Sequence, residues 1–267
     1  MTSKVPKTLA LDFDGVLCDG LLEYFQTTWR TYRQVWAPTN PTPPDDLAPV
    51  FYRLRPVIET GWEMPVLLRA ILKGFSEVEI LVGWSSICSQ IVSAENLNPQ
   101  DLATRVDSIR DQWIADDLNG WLKIHRFYPG VEGRLKGWIT SGLEVFIVTT
   151  KEGRFVQQLL QQQGIQLPSE QIFGKECQQP KYKTLRSLTA TPIWFVEDRL
   201  SALQTVASQA DLEEVRLFLA DWGYNTPAEQ AVARQDRRIQ LLPLSQFIQD
   251  FAAWPDPKSP EGHSLPD

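Results

Sequence analysis

The sequence predicts an α/β protein: a parallel-sheet core, interrupted directly after its first strand by an all-helical insertion. Three observations predict it. From Pro129 onward, short continuous apolar runs alternate with amphipathic stretches, the texture of a sheet covered by helices on both faces. The span from Asp19 to His125 carries helical periodicity and no strand alternation. The run from Thr8 to Val16, TLALDFDGV, reads as a buried strand that ends in two carboxylates and a glycine turn.

The elements follow in order. Leu21 to Val35 reads as a helix, with Leu22, Phe25, Trp29 and Tyr32 spaced by three or four on one face. Thr39 to Asp46 is a loop by composition. Pro65 to Lys73, Glu77 to Ala94 and Pro99 to Leu118 continue the helical pattern. In the core, helices are expected at Val131–Ser141, Arg154–Gln163, Tyr182–Leu188, Leu200–Ala210 and Ser245–Ala253. Strands are expected at Glu144–Thr149, Gln171–Gly174, Pro192–Val196, Glu214–Leu219 and Arg238–Leu242. The expected division is a core of residues 1–18 with 126–254, an insertion of residues 19–125, and a Pro-rich tail, 255–267, without order.

Composition narrows the class. The chain has 267 residues, 43% hydrophobic and 22% charged, an ordinary globular balance. A net charge of −7 argues against a nucleic-acid binder, which would carry a basic stripe. No run of ~18 apolar residues suggests a membrane span. The segment before the first strand leaves no room for a leader peptide, so a cytoplasmic protein is expected. Cys18, Cys88 and Cys177 are odd in number and widely spaced, which fits free thiols in a reducing compartment. The two histidines are His125, expected to pack at a helix end, and His263 in the tail. This scarcity steers catalysis toward carboxylates, lysine and metal. Neither a Walker-type loop nor a Gly-x-Gly-x-x-Gly turn is present.

The candidate site is a constellation at strand ends. The first strand ends at Asp12 and Asp14. Residues two apart on a strand share a face, so if the strand stays extended through Phe13 both carboxylates aim at one spot, suited to a magnesium ion. The second strand ends at Thr149-Thr150-Lys151, and a later one at Glu197-Asp198. Between them, Pro180-Lys181-Tyr182-Lys183 opens a helix. In a parallel sheet all C-terminal ends lie along one edge, where such groups converge. Four carboxylates against one lysine call for a divalent cation. The segment Arg55 to Met64 mixes charge, glycine and indole between helices, which suits either a plain helix junction or a substrate-reading loop.

These motifs resemble those of the haloacid dehalogenase (HAD) superfamily, in its phosphoglycolate-phosphatase-like branch. Asp12-Phe13-Asp14-Gly15-Val16 is similar to the first motif of that family, and Val148-Thr149-Thr150-Lys151 to the second. Lys181 is similar to the third, with Lys183 as the alternative. Phe195-Val196-Glu197-Asp198-Arg199 is similar to the fourth, and Asp221 to Asn225 to a Trp-Gly-Tyr turn of the branch. The likeness spans most of Thr8 to Leu242. It implies a Rossmann-like core, the HAD fold, with the insertion as a helical cap. It departs in the fourth motif, where Glu-Asp replaces Gly-Asp and Ala202 stands where a further acid is usual.

The resemblance implies a magnesium-dependent phosphatase acting on a small phosphorylated metabolite. Asp12 would be the nucleophile and Asp14 the acid and base. Thr149 and Lys181 would contact the phosphoryl group, with Gly15 and Thr150 beside it. Magnesium would be held by Asp12, the Asp14 backbone carbonyl and Asp198, with Glu197 as second acid, directly or through water, or else a site of only three acids. Arg55, Glu59 and Trp62 would read the rest of the substrate. A phosphomutase using the same residues and a silent binding or regulatory relative are the alternatives; a dehalogenase would not need Asp14 or the acidic fourth motif.

Overall fold

The computed structural model describes residues 5–257; the expected tail beyond residue 257, with His263, lies outside them. The chain divides into two compact units. One joins the residues up to Asp19 to those from Phe127 onward; the other runs from Gly20 to Arg126.

The first unit is built on six parallel strands: β1 (Thr8–Leu11), β2 (Glu144–Val148), β3 (Ile172–Phe173), β4 (Ile193–Glu197), β5 (Arg216–Ala220) and β6 (Ile239–Leu242). Their spatial order is β3-β2-β1-β4-β5-β6, the doubly wound Rossmann order. Register is set by burial on both faces. β1 and β4 are buried at every residue, and Leu9 pairs with Val145 on one side and Trp194 on the other. The order reverses at β1, flanked by β2 and β4. Chain crossovers leave this edge in opposite directions, which opens a crevice at the strand C-termini.

The second unit carries α1 (Leu21–Trp36), α2 (Leu47–Leu54), α3 (Glu63–Leu72), α4 (Glu77–Ala94) and α5 (Pro99–Lys123). Its core is aromatic and aliphatic, with Phe51, Leu54, Leu67 and Ile80 fully buried. Glu23 is also fully buried, and tolerable there because Arg110 Nε donates to it at 2.7 Å and Thr27 Oγ1 at 2.7 Å. His125 is buried as expected, its Nδ1 2.9 Å from the Trp121 carbonyl. The three cysteines are free, and burial pushes the Cys88 thiol up to about 12. Among the described residues no helix is long and apolar enough to cross a membrane.

In the core unit the helices are α6 (Val131–Thr140), α7 (Gly153–Gln162), α8 (Lys181–Ser187), α9 (Leu200–Ala207), α10 (Pro227–Gln235) and α11 (Leu244–Phe247). Several differ from the sequence expectation. Helix α2 was not expected; Pro49 and the nearby Pro56 mask a Leu47-Phe51-Leu54 stripe that is buried. Helix α10 was also missed, although Thr226 and Glu229 form a capping box at its start. Helix α5 runs on to Lys123 through a bend at Asp117, where the expectation stopped at Leu118. The helix expected at Ser245–Ala253 is instead short α11 and a 3-10 turn at Phe251–Ala253.

Candidate active site

The site forms at the C-terminal edge of the sheet, beside the β1 reversal. Strand β1 ends at Leu11, and the Asp12 amide still donates to the Val196 carbonyl of the neighbouring strand at 2.9 Å. The Phe13 carbonyl accepts the amides of Leu17 and Cys18, at 2.9 and 3.0 Å, which turns the chain tightly after Asp12. Asp12 and Asp14 therefore acquire different partners. Asp12 is 6% exposed; its Oδ1 accepts the Phe13 amide at 2.7 Å and its Oδ2 lies 2.9 Å from Lys181 Nζ. Thr149, buried at the end of β2, hydrogen-bonds the same carboxyl. Asp14 pairs instead with Lys151, whose Nζ lies 3.2 Å from Oδ2.

Lys181 is the first residue of α8, which presents its ammonium to two carboxylates, Asp12 and Glu197, the latter at 2.5 Å from Oε2. Lys183, two residues on, is exposed. Glu197 ends β4 and is fully buried. Its other oxygen accepts the amides of Asp198 at 3.0 Å and Arg199 at 2.9 Å, at the start of α9. Every Glu197 oxygen is thus held by the protein itself. Asp198 Oδ2 accepts the Tyr224 amide at 2.7 Å.

The loop after β5 fastens this corner. Asn225 Nδ2 donates to the Asp198 carbonyl, Arg199 Nη1 to the Tyr224 carbonyl, and Trp222 Nε1 to the Val16 carbonyl. Through its bond to Tyr224, Arg199 ties this loop to the end of β4. Gly15 and Gly223 bracket Asp198. A Cβ on Gly15 would stand 2.2 Å from Asp198 Oδ2, and one on Gly223 2.3 Å from Asp198 Cβ. The Gly15 amide is engaged by the Cys18 carbonyl at 2.9 Å, so its contribution is space and a left-handed φ of 85°, not a donor.

Asp12, Glu197 and Asp198 can each bring one oxygen within 4.8 Å of the others. Burial, then the charge of Glu197, raises the Asp12 carboxyl to about 7, in spite of Lys181. Burial, then the charge of Asp12, raises Asp198 to about 6. Burial works against the Lys181 ammonium, but Asp12 and Glu197 more than offset it and raise its pKa. Three crowded buried carboxyls with all-oxygen donors fit a hard divalent cation. The excess of negative charge is smaller than the sequence suggests. The site holds four carboxylates and two ammoniums, Lys151 and Lys181, not one.

Thr150 is exposed at the end of β2. In the helical unit, Arg55 Nη1 donates to the Ile58 carbonyl at 3.2 Å, and its guanidinium lies over the Tyr24 ring. Trp62 packs half-buried against the helical core. Glu59 is exposed, while its amide, with that of Thr60, turns toward the Glu63 carboxylate at the start of α3. Trp84 Nε1 also donates to Glu63, at 2.7 Å. Much of the segment from Arg55 to Met64 is thus explained as a helix junction. Sequence reasoning assigned no role to Lys151, although the Thr-Thr-Lys run at the strand end signalled it.

A doubly wound α/β protein with an acidic cluster at the C-terminal edge of its sheet is the class this fold defines. No family model matches the chain, and no curated protein sequence matches it. Solved structures do. A predicted phosphoglycolate phosphatase from Lactobacillus delbrueckii subsp. bulgaricus superposes with a TM-score of 0.59 at 13% identity, covering 92% of this chain and 98% of that one. A predicted phosphoglycolate phosphatase from Haemophilus somnus gives 0.55 at 18% identity, over 94% and 97%. A haloacid dehalogenase-like family hydrolase from Streptococcus pneumoniae gives 0.53 at 12% identity, over 89% and 94%. The fold is therefore that of the haloacid dehalogenase-like proteins.

Proposed function

We propose that this protein is a phosphomonoester hydrolase that acts on a small phosphorylated metabolite through an aspartyl-phosphate on Asp12. The observation that carries this reading is the setting of Asp12. It stands at the strand-order reversal, buried, with Lys181 on one oxygen and Asp198 close by. Its Oδ2 attacks phosphorus, the phosphorus–oxygen ester bond breaks, and the leaving alkoxide takes a proton from Asp14. Asp14 then removes a proton from water, whose oxygen attacks phosphorus and frees Asp12 and inorganic phosphate. Lys151 pairs with the carboxylate that Asp14 becomes once its proton has gone to the leaving group, and so readies it to act as base. Lys181 offsets phosphoryl charge as the transition state forms, and Glu197 holds Lys181 in place.

Asp12, Asp198 and the Asp14 carbonyl would hold magnesium, while Glu197, its oxygens already taken by Lys181 and by the Asp198 and Arg199 amides, would stand behind Lys181. A bound divalent cation would let an anionic nucleophile approach an anionic phosphate. Since the sheet edge recognises only the phosphoryl group that all such esters share, discrimination is assigned to the helical unit, with Arg55, Glu59 and Trp62 as the residues to test. The phosphatase names of the structural neighbours support the reading. Incubation with a panel of phosphate esters and magnesium tests it. Release of free phosphate is expected; transfer between sugar positions without release would instead mark a mutase.

A further inference from the structure

Helices α1 and α5 and the loop from Ala37 to Pro41 enclose a cleft of about 980 Å³ within the helical unit. Three guanidiniums line it, those of Arg30, Arg33 and Arg105, against one carboxylate, Asp116. Gln34 and Gln112 add amide groups. On a chain of net charge −7 this is a local excess of positive charge. Trp113 is buried in the wall, and the Arg30 guanidinium stacks on it at 3.9 Å from the ring centroid. A stacked guanidinium is immobilised yet keeps its donors in its own plane, away from the ring. Arg33 and Arg105 are exposed, and neither has a carboxylate partner among the described residues.

Burial lowers the Arg30 pKa although Asp116 and Glu23 act to raise it, so this cation is short of compensating charge. The cleft is also built in advance. Trp29 Nε1 donates to the Pro41 carbonyl at 2.9 Å and pins the loop. Ala37 closes α1 at a left-handed φ of 42°, a conformation uncommon outside glycine, with its amide on the Arg33 carbonyl at 3.0 Å.

We propose that this cleft binds a small, multiply charged oxyanion, a phosphate ester or a polycarboxylate, through Arg30, Arg33 and Arg105. Guanidinium forks match the paired oxygens of both groups, and the volume suits one small metabolite. The site lies wholly in the helical unit and does not depend on the reaction proposed for the sheet edge.

Calorimetric titration of the full-length, metal-free protein with citrate and, separately, with inorganic phosphate tests this. The two arms distinguish carboxylate from phosphate recognition. Saturable binding of at least one anion is expected. Arg30→Gln should weaken it roughly tenfold or more, and so should the Arg33→Gln/Arg105→Gln double variant, whose exposed positions do not endanger folding. Lys181→Ala should leave that affinity unchanged. The proposal is overturned if neither anion binds up to about 10 mM, if the double variant binds like the parent, or if Lys181→Ala alone abolishes binding.

Discussion

Gly15 and Asp198 are packed so closely that a single methyl group on Gly15 would lie 2.2 Å from the Asp198 carboxylate oxygen. Gly15 also holds a φ of 85°, which costs an L-residue roughly 1–2 kcal/mol before any clash. Gly15→Ala is therefore expected to destabilise the protein by about 2 kcal/mol or more and to reduce turnover by displacing Asp198. A urea melt with parallel kinetics checks both. Parental stability and rate together would show that the close packing is not needed.

The two lysines of the α8 start separate cleanly. Lys181 bridges Asp12 and Glu197, while Lys183 is exposed. Lys181→Ala is expected to lower kcat/KM roughly a hundredfold, and Lys183→Ala by less than about twofold. Equal losses in steady-state kinetics would remove Lys181 from the phosphoryl site.

Crowding of buried carboxyls has a pH signature. The Asp12 carboxyl is raised by burial and by Glu197 to about 7, and Asp198 by burial and by Asp12 to about 6. Unfolded aspartate titrates near ~3.9. A raised carboxyl binds its proton more tightly in the folded state, so its contribution is fully present below pH ~4 and is lost as pH climbs to about 7. Metal-free protein should thus melt lower at neutral pH than at pH ~5.5. Asp12→Asn should melt above the parent at neutral pH, by ~3 °C or more, with the gain shrinking toward pH ~4.5. Magnesium should recover stability for the parent more than for the variant. Thermal melts across this range decide; a flat or opposite profile would mean that the carboxyls are not crowded.

Specificity is expected to move with the helical unit. Arg55→Ala, Glu59→Ala and Trp62→Ala should change the ratio of kcat/KM between two chemically distinct phosphate esters. Trp62 is half-buried, so its truncation also lowers the melting temperature, and the ratio is the informative quantity. Equal slowing on both esters would leave the segment as the helix junction that Glu63 organises.

The core of the fold was legible because β1 and β4 are buried on both faces and so read as unbroken apolar runs. Lys181, Thr149 and Asp12 were legible because strand C-termini in a parallel sheet share one edge, and these residues do converge there. Three things were hidden. The proline at position 49 hid α2, whose Leu47, Phe51 and Leu54 are held by tertiary packing rather than propensity. The chain turns after Asp12, and local spacing alone could not show that Asp14 would leave Asp12 for Lys151. The filling of the Arg55–Met64 junction depends on Glu63 and on Trp84, which is distant in sequence. Pairings between distant residues are invisible to periodicity.

The proposed hydrolysis requires the Asp12 carboxylate as nucleophile. The most direct measurement is free-phosphate release by Asp12→Asn beside the parent, with magnesium, on an ester the parent hydrolyses, and with folding verified by circular dichroism. A loss of about a thousandfold or more with the fold intact is predicted. Turnover within a few-fold of the parent would contradict the central claim and leave the sheet edge without its assigned nucleophile.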